Sequence, residues 1–159
     1  MPNYTEIPQS FREEYKNKFL NIDKNKIPEL AEQDPEIFGK YYLGKTLRLH
    51  QAYILHLFVS LMNRGHIRIA MCLARQLGKT IGACMLLIWL CWYNKLPATI
   101  SKVTIWYVIS RDDDTAKELL GKIRMILYDG DRNMSSLSET ADFFTGSLKE
   151  PNNTHQLTF

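Results

Sequence analysis

Ala74-Arg75-Gln76-Leu77-Gly78-Lys79-Thr80 is the stretch of this chain in which residue types and spacing could do chemistry. It sits between an apolar run that ends at Leu73 and a second that begins at Ile81, which reads as a strand, a tight turn and the start of a helix. Such a turn places backbone N–H groups, a helix N-terminus and a lysine around one anion, which is how a protein holds a polyphosphate. Gly78 lets the backbone approach phosphate oxygens, Lys79 reaches the terminal phosphates, and Thr80 offers a hydroxyl to Mg²⁺. The full phosphate-loop pattern also asks for a glycine five positions before Gly78, and Leu73 stands there. Gly44-Lys45-Thr46 repeats the tripeptide, so the three residues alone could merely start a helix; only the second copy lies between a strand-like and a long helix-like run.

Helicase-type loops put glycine two places before the Gly78 position, and this chain puts Gln76 there with Arg75 ahead of it. Ala74 to Thr80 thereby resembles the deviant phosphate loop of the large terminase subunits of tailed double-stranded DNA viruses, the ATPases that drive DNA into the empty capsid. Asp34-Pro35 with the aromatics after it, and the Tyr42-Leu43-Gly44 segment, are similar to the region upstream of the motor in that family. The resemblance spans roughly residues 34 to 128. It implies that Arg75 acts in cis on the γ-phosphate as an arginine finger does, that Gln76, Leu77, Gly78 and Lys79 help cradle ATP, and that Thr80 binds Mg²⁺. It further implies translocation of double-stranded DNA, a portal protein and a small terminase subunit as partners, a ring of like copies, and a place in the host cytoplasm at the procapsid. Gln51 belongs to the same pattern. Its amide can donate to and accept from the adenine edge at once, and terminases and helicases both carry such a glutamine a short way before the loop. Taken without the loop downstream, it reads first as a surface glutamine in the first turn of a helix.

The elements that must position these residues follow from periodicity. Residues 1–46 read as a helical segment that docks on a core, and 47–159 as the N-terminal part of a phosphate-loop ATPase domain. Ser10 is expected to cap a helix running to about Asn21, with Glu13 at the capping-box position and Phe11, Tyr15, Phe19 and Leu20 on one face. Pro28 and Pro35 each suit the first turn of a short helix. A further helix is expected from Leu49 to Arg64-Gly65, with His50 and His56 as partly buried residues. Ile67 to Leu73 reads as a strand buried on both faces. Gly78 to about Asn94 reads as a helix with almost no polar face, which must be enclosed on most sides and makes Trp89 and Trp92 core residues. Val103 to Ile109 is β-branched and aromatic, a second strand. Strand, helix, strand predicts an α/β fold, a parallel sheet flanked by helices of the phosphate-loop NTPase (ASCE-like) kind, with the sheet incomplete in this chain and its edges prone to self-association. A last helix carries Ala116, Leu119, Leu120, Ile123, Ile126 and Leu127 and is expected to end at Gly130. Asp112, Asp113 and Asp114 suit that helix's N-terminus, with a metal site as the alternative.

A motor of this kind also needs four apolar residues followed by Asp-Glu, to hold Mg²⁺ and orient the attacking water. The nearest string, Met125 to Asp131, finishes a helix-like run and has glycine where the catalytic carboxylate belongs. The chain alone is therefore expected to bind nucleotide weakly or not at all and to turn it over hardly at all. Two other classes fit part of the pattern. A superfamily 2 helicase shares the upstream glutamine but not Gln76, and a short non-catalytic module would join or cap a motor assembly.

With 45% hydrophobic and 23% charged residues, the chain has the composition of an ordered globular domain. A net charge of +3 is compatible with nucleic acid without pointing to it. Cys72, Cys84 and Cys91 lie in apolar surroundings and read as small core residues. The start shows no secretory signal, and the run from Ile81 to Tyr93 is short of the roughly twenty residues that span a bilayer, so a soluble protein is expected.

Arg75 yields the first test. A planar guanidinium fork and an ammonium are not interchangeable at a γ-phosphate, so Arg75→Lys is expected to cut ATP hydrolysis by the complete motor at least tenfold, on the order of 1.4 kcal/mol or more. A steady-state phosphate-release assay reads this, and an unchanged rate returns Arg75 to a structural role.

Overall fold

The structure, a computed structural model, describes residues 6–64, 78–93 and 113–135. Those residues contain α1 (Gln9–Asn17), a 3-10 turn at Lys24–Lys26, α2 (Ile27–Gln33), α3 (Pro35–Tyr41), α4 (Leu49–Asn63), α5 (Lys79–Tyr93) and α6 (Asp113–Ser135). The α/β expectation is overturned here: 80% of the described residues are helical and none lies in a strand, so this is not a parallel-sheet phosphate-loop fold. The two predicted strands, 67–73 and 103–109, fall outside the described residues, and the strand-edge self-association argued from them loses its basis with the sheet.

The physical reason lies in α5. Cys84, Met85, Leu86, Ile88, Trp89 and Leu90 are all buried on it, so it demands cover around most of its circumference, as its sequence predicts. Apolar periodicity sets that demand without naming the element that meets it. Helices meet it here: α3, α4 and α6 each pack against α5, and α2 reaches it through Trp89 Nε1, which donates to the Ala31 carbonyl at 2.9 Å. Trp92 packs at the edge of the same core.

Around that helix the shorter elements are placed by caps and aromatic contacts. Asp34 caps α3, its Oδ1 accepting from the Glu36 N–H at 2.8 Å, with Pro35 in the first turn. This holds Phe38, fully buried, with its ring 5.6 Å from that of Tyr93 on α5. The aromatics of this segment thus dock on the core as expected. In α1 the start differs from expectation. Pro8, not Ser10, occupies the N-cap position, and the helix ends at Asn17 rather than near Asn21, whose φ of 61° takes the chain out of helical geometry. Phe11 is buried as its pattern requires, its ring 5.0 Å from Tyr53 of α4, and the Tyr15 hydroxyl donates to the Leu47 carbonyl.

The helix α6 also departs from expectation, running through Gly130 instead of ending there. Beyond that glycine, Asn133 Nδ2 donates to the carbonyls of Tyr41 at 2.6 Å and Tyr42 at 3.2 Å, satisfying the free end of α3. The tie keeps α6 helical past Gly130, despite the cost of glycine in a helix. Met125 to Asp131 consequently lies inside a helix, with Met125 and Tyr128 exposed, and is no strand-end carboxylate motif. The first Gly-Lys-Thr copy is absorbed into the same joint. Gly44 turns with a φ of 63° against Asn133, and Lys45 pairs with Asp129 at 2.5 Å. Helix α4 begins only at Leu49, so Gly44-Lys45-Thr46 opens no helix.

Phe38→Ala is expected to remove about 3–5 kcal/mol of stability, because a fully buried ring between α3 and α5 leaves a cavity the helices cannot close. Urea unfolding reads this as a lower midpoint at unchanged slope. A loss under about 1 kcal/mol would place the α3–α5 contact outside the core.

Candidate functional site

The site is the junction between the start of α4 and the start of α5. Gln51 lies in the first turn of α4, where its Oε1 accepts from the Arg48 backbone N–H at 2.8 Å, the reciprocal half of a capping box. Its Nε2 reaches 27 residues along the chain and donates to the Gly78 carbonyl at 3.3 Å. That carbonyl also accepts from the Gly82 N–H at 3.3 Å, which closes the first turn of α5. One side-chain amide therefore ties the two helix starts together.

Glycine at 78 meets two demands at once. Its φ of 68° is a conformation that residues with a Cβ resist, and a Cβ placed there would stand 1.9 Å from Gln51 Nε2. The close approach of Gln51 to the backbone is possible because no side chain intervenes. Following Gly78, the first turn of α5 contains no acidic residue, and Gly78 has no side chain to cap it. Helix geometry gives its first N–H groups no partner within the helix, and they carry the positive end of a 15-residue element. Thr80 is half-buried in this turn, and Ile81 beside it is exposed.

Of the residues that the sequence singles out, Gln51, Gly78, Lys79 and Thr80 are brought to one place, Lys79 as the first residue of α5. Arg75, Gln76 and Leu77 lie outside the described residues. The Gln51 amide retains one N–H and one oxygen lone pair beyond its two bonds, which is what an adenine edge requires. A magnesium ion fits Thr80 only together with phosphate oxygens and water. Among the described residues no three His, Cys, Asp or Glu side chains gather to hold a metal. Asp113 and Asp114 occupy the first turn of α6, where the helix favours negative charge, and Asp113 pairs with Lys117 at 2.5 Å. Asp112 falls outside the described residues.

Burial pushes the thiols of Cys84 and Cys91 up to about 11, so both are neutral near pH 7; Cys84 is a buried core residue, and Cys91 is half-buried. Cys72 lies outside the described residues. His50 is half-buried, whereas His56 is exposed and lies against Phe11 with ring centroids 5.1 Å apart. Among the described residues no helix is long and apolar enough to cross a membrane. Sequence reasoning missed the role of Arg48, whose backbone N–H fixes Gln51; a glutamine three positions after the residue that precedes a helix is the signal that could have found it. It also missed a buried cluster of Lys18, Asp34 and Glu36, for which no local pattern exists.

Comparison of the chain with protein-family models, curated proteins and solved structures returns no match.

Gly78→Ala forces Gln51 aside and strains the backbone. Losing two hydrogen bonds at about 1 kcal/mol each and adding about 1–2 kcal/mol of left-handed strain should destabilise the chain by about 3–4 kcal/mol. In a Gln51→Ala background the same change should cost only the strain. Thermal unfolding of the four proteins of this cycle measures the coupling. Additivity within about 0.3 kcal/mol would show that the two residues do not act on each other.

Proposed function

We propose that this chain is the ATP-binding part of a viral DNA-packaging motor related to the large terminase subunits, acting on double-stranded DNA. The observation that carries the reading is the bond from Gln51 to the Gly78 carbonyl, which brings the candidate for adenine reading to the residue that precedes α5. Support does not come from a parallel sheet, which the described residues lack; it comes from the start of α5 and what faces it. Phosphate oxygens would accept from N–H groups of the first turn of α5, Lys79 would balance the terminal phosphates, and the second donor and lone pair of the Gln51 amide would take the adenine edge. Thr80 would help hold Mg²⁺, and the ion would supply neutralisation of the charge that develops on phosphoryl transfer. Arg75 acts on the γ-phosphate, with Gln76 and Leu77 as part of the loop.

In this reading α5 is the rigid element that transmits a change at the phosphates into the core, since α3, α4 and α6 all pack on it. The partners are double-stranded DNA, a portal protein, a small terminase subunit and further copies of the chain, at the procapsid in the host cytoplasm.

Two outcomes test the reading. A fluorescent ATP analogue should bind the chain in the presence of Mg²⁺, with affinity weakened at least tenfold by Lys79→Ala, about 1.4 kcal/mol. In the assembled motor the same substitution should abolish packaging of double-stranded DNA into procapsids without unfolding the chain, because it removes a charge that stabilises the transferring phosphoryl group. Packaging at the parental rate by the Lys79→Ala motor contradicts the proposal.

A further inference from the structure

Helix α6 turns one face to the core and another to water, and the fold uses only the first. Ile123, Ile126 and Leu127 are buried on the side where α6 packs against α5. On the opposite side Asp114, Glu118, Gly121, Met125, Tyr128 and Arg132 are exposed. They recur at alternating steps of four and three residues, the spacing of the seam between two paired helices. Met125 is 61% and Tyr128 60% exposed, so the middle of the stripe offers large apolar side chains to solvent. Gly121 beside them has no explanation inside the chain, because a Cβ there would meet nothing within 4 Å. Glycine weakens a helix interior, and what the missing Cβ gives in return is room for another backbone to come close.

Turned end for end at the level of Ile123, the stripe meets its own complement. Met125 falls on Gly121, Tyr128 on Glu118 and Arg132 on Asp114. A large side chain then faces an absent one, a hydroxyl faces a carboxylate, and a cation faces an acid.

We propose that the exposed face of α6 docks on the same face of a second copy of the chain, antiparallel about a two-fold axis. Met125 seats over the partner's Gly121, the Tyr128 hydroxyl donates to the carboxylate of the partner's Glu118, and Arg132 pairs with the partner's Asp114; the axis repeats each contact. Apolar contact at the centre supplies the attachment, and the charges at the ends select the orientation. A parallel pair would set Asp114 beside Asp114 and Arg132 beside Arg132, like against like. Lys122 and Arg124 flank the axis and face their own copies, but Lys122 is bonded to Glu118 of its own chain and Arg124 is engaged within its chain as well. A second copy fits the stripe better than the chain's own apolar runs. Residues 67–73 and 103–109 contain no acidic residue to match its basic end. The pairing goes beyond the nucleotide reading and does not rest on it. A ring of like copies closes through two different faces, whereas this contact uses one face twice.

Sedimentation of the full chain from micromolar to millimolar concentration tests the pairing. Mass should rise from one chain to two and stop there, since a two-fold contact closes on itself. Gly121→Gln fills the space between the helices without touching the rest of its own chain, so it should weaken association at least tenfold while leaving thermal unfolding of the dilute chain no lower. Asp114→Arg and Arg132→Asp should each weaken self-association at least tenfold, and an equimolar mixture of the two should regain the parental affinity, because each chain supplies the charges the other lacks. A chain that stays monomeric at millimolar concentration overturns the proposal. Association that Gly121→Gln leaves unchanged also overturns it, by placing the contact on another face. A mixture that pairs no better than either charge variant alone overturns the antiparallel register, and Gly121→Gln decides the matter if a charge change unfolds α6.

Discussion

The enclosure of α5 is the constraint on which the other elements depend. Burying Cys84, Met85, Leu86, Ile88, Trp89 and Leu90 on one helix leaves little of its surface for solvent, and each large side chain there contributes about 1.5–3 kcal/mol by leaving water. Helices α3, α4 and α6 are therefore held against it, and α2 by way of Trp89 and the Ala31 carbonyl. Because α5 is fixed on several sides, its N-terminus is fixed as well. A helix start anchored in this way can aim backbone N–H groups at a ligand without ordering a loop first.

Polar contacts add direction to what burial stabilises. Asn133 satisfies the Tyr41 and Tyr42 carbonyls at the end of α3, Tyr15 the Leu47 carbonyl before α4, and Gln51 both the Arg48 N–H and the Gly78 carbonyl. Apart from the local Gln51–Arg48 bond, each joins an element terminus to a side chain distant in sequence, so these bonds set register between helices. Lys45–Asp129 does the same at the α6 joint, though at its half-exposed position it is worth under about 1 kcal/mol. The more buried exception is the Lys18 cluster, where one cation just past α1 serves two acids at the start of α3.

The helices were legible wherever periodicity and caps agreed. Leu49–Asn63, the two Pro-started helices and the apolar α5 all follow from spacing and from the fixed φ of proline. The sheet was not, because the apolar run at 67–73 and the β-branched, aromatic run at 103–109 read as strands covering α5, and in the described residues helices provide the cover. Gly130 failed as a stop signal since the contact that keeps α6 helical, Asn133 on the end of α3, joins residues 92 apart. Within the site, residue types at 51 and 78–80 were readable as chemistry from their identities. That Gln51 touches Gly78 was not, and neither was the meeting of Lys18 with Glu36, because both depend on how helices pack rather than on local pattern.

Paramagnetic broadening by Mn²⁺-ATP places a bound nucleotide directly. With the ¹⁵N-labelled chain and Mn²⁺ substituting for Mg²⁺, the backbone amides of Gly78, Lys79, Thr80 and Ile81 and the side-chain amide of Gln51 should broaden first, while those of α1 and α2 stay sharp. Broadening centred on any other part of the chain, or none in the presence of millimolar Mn²⁺-ATP, contradicts a nucleotide site at the start of α5.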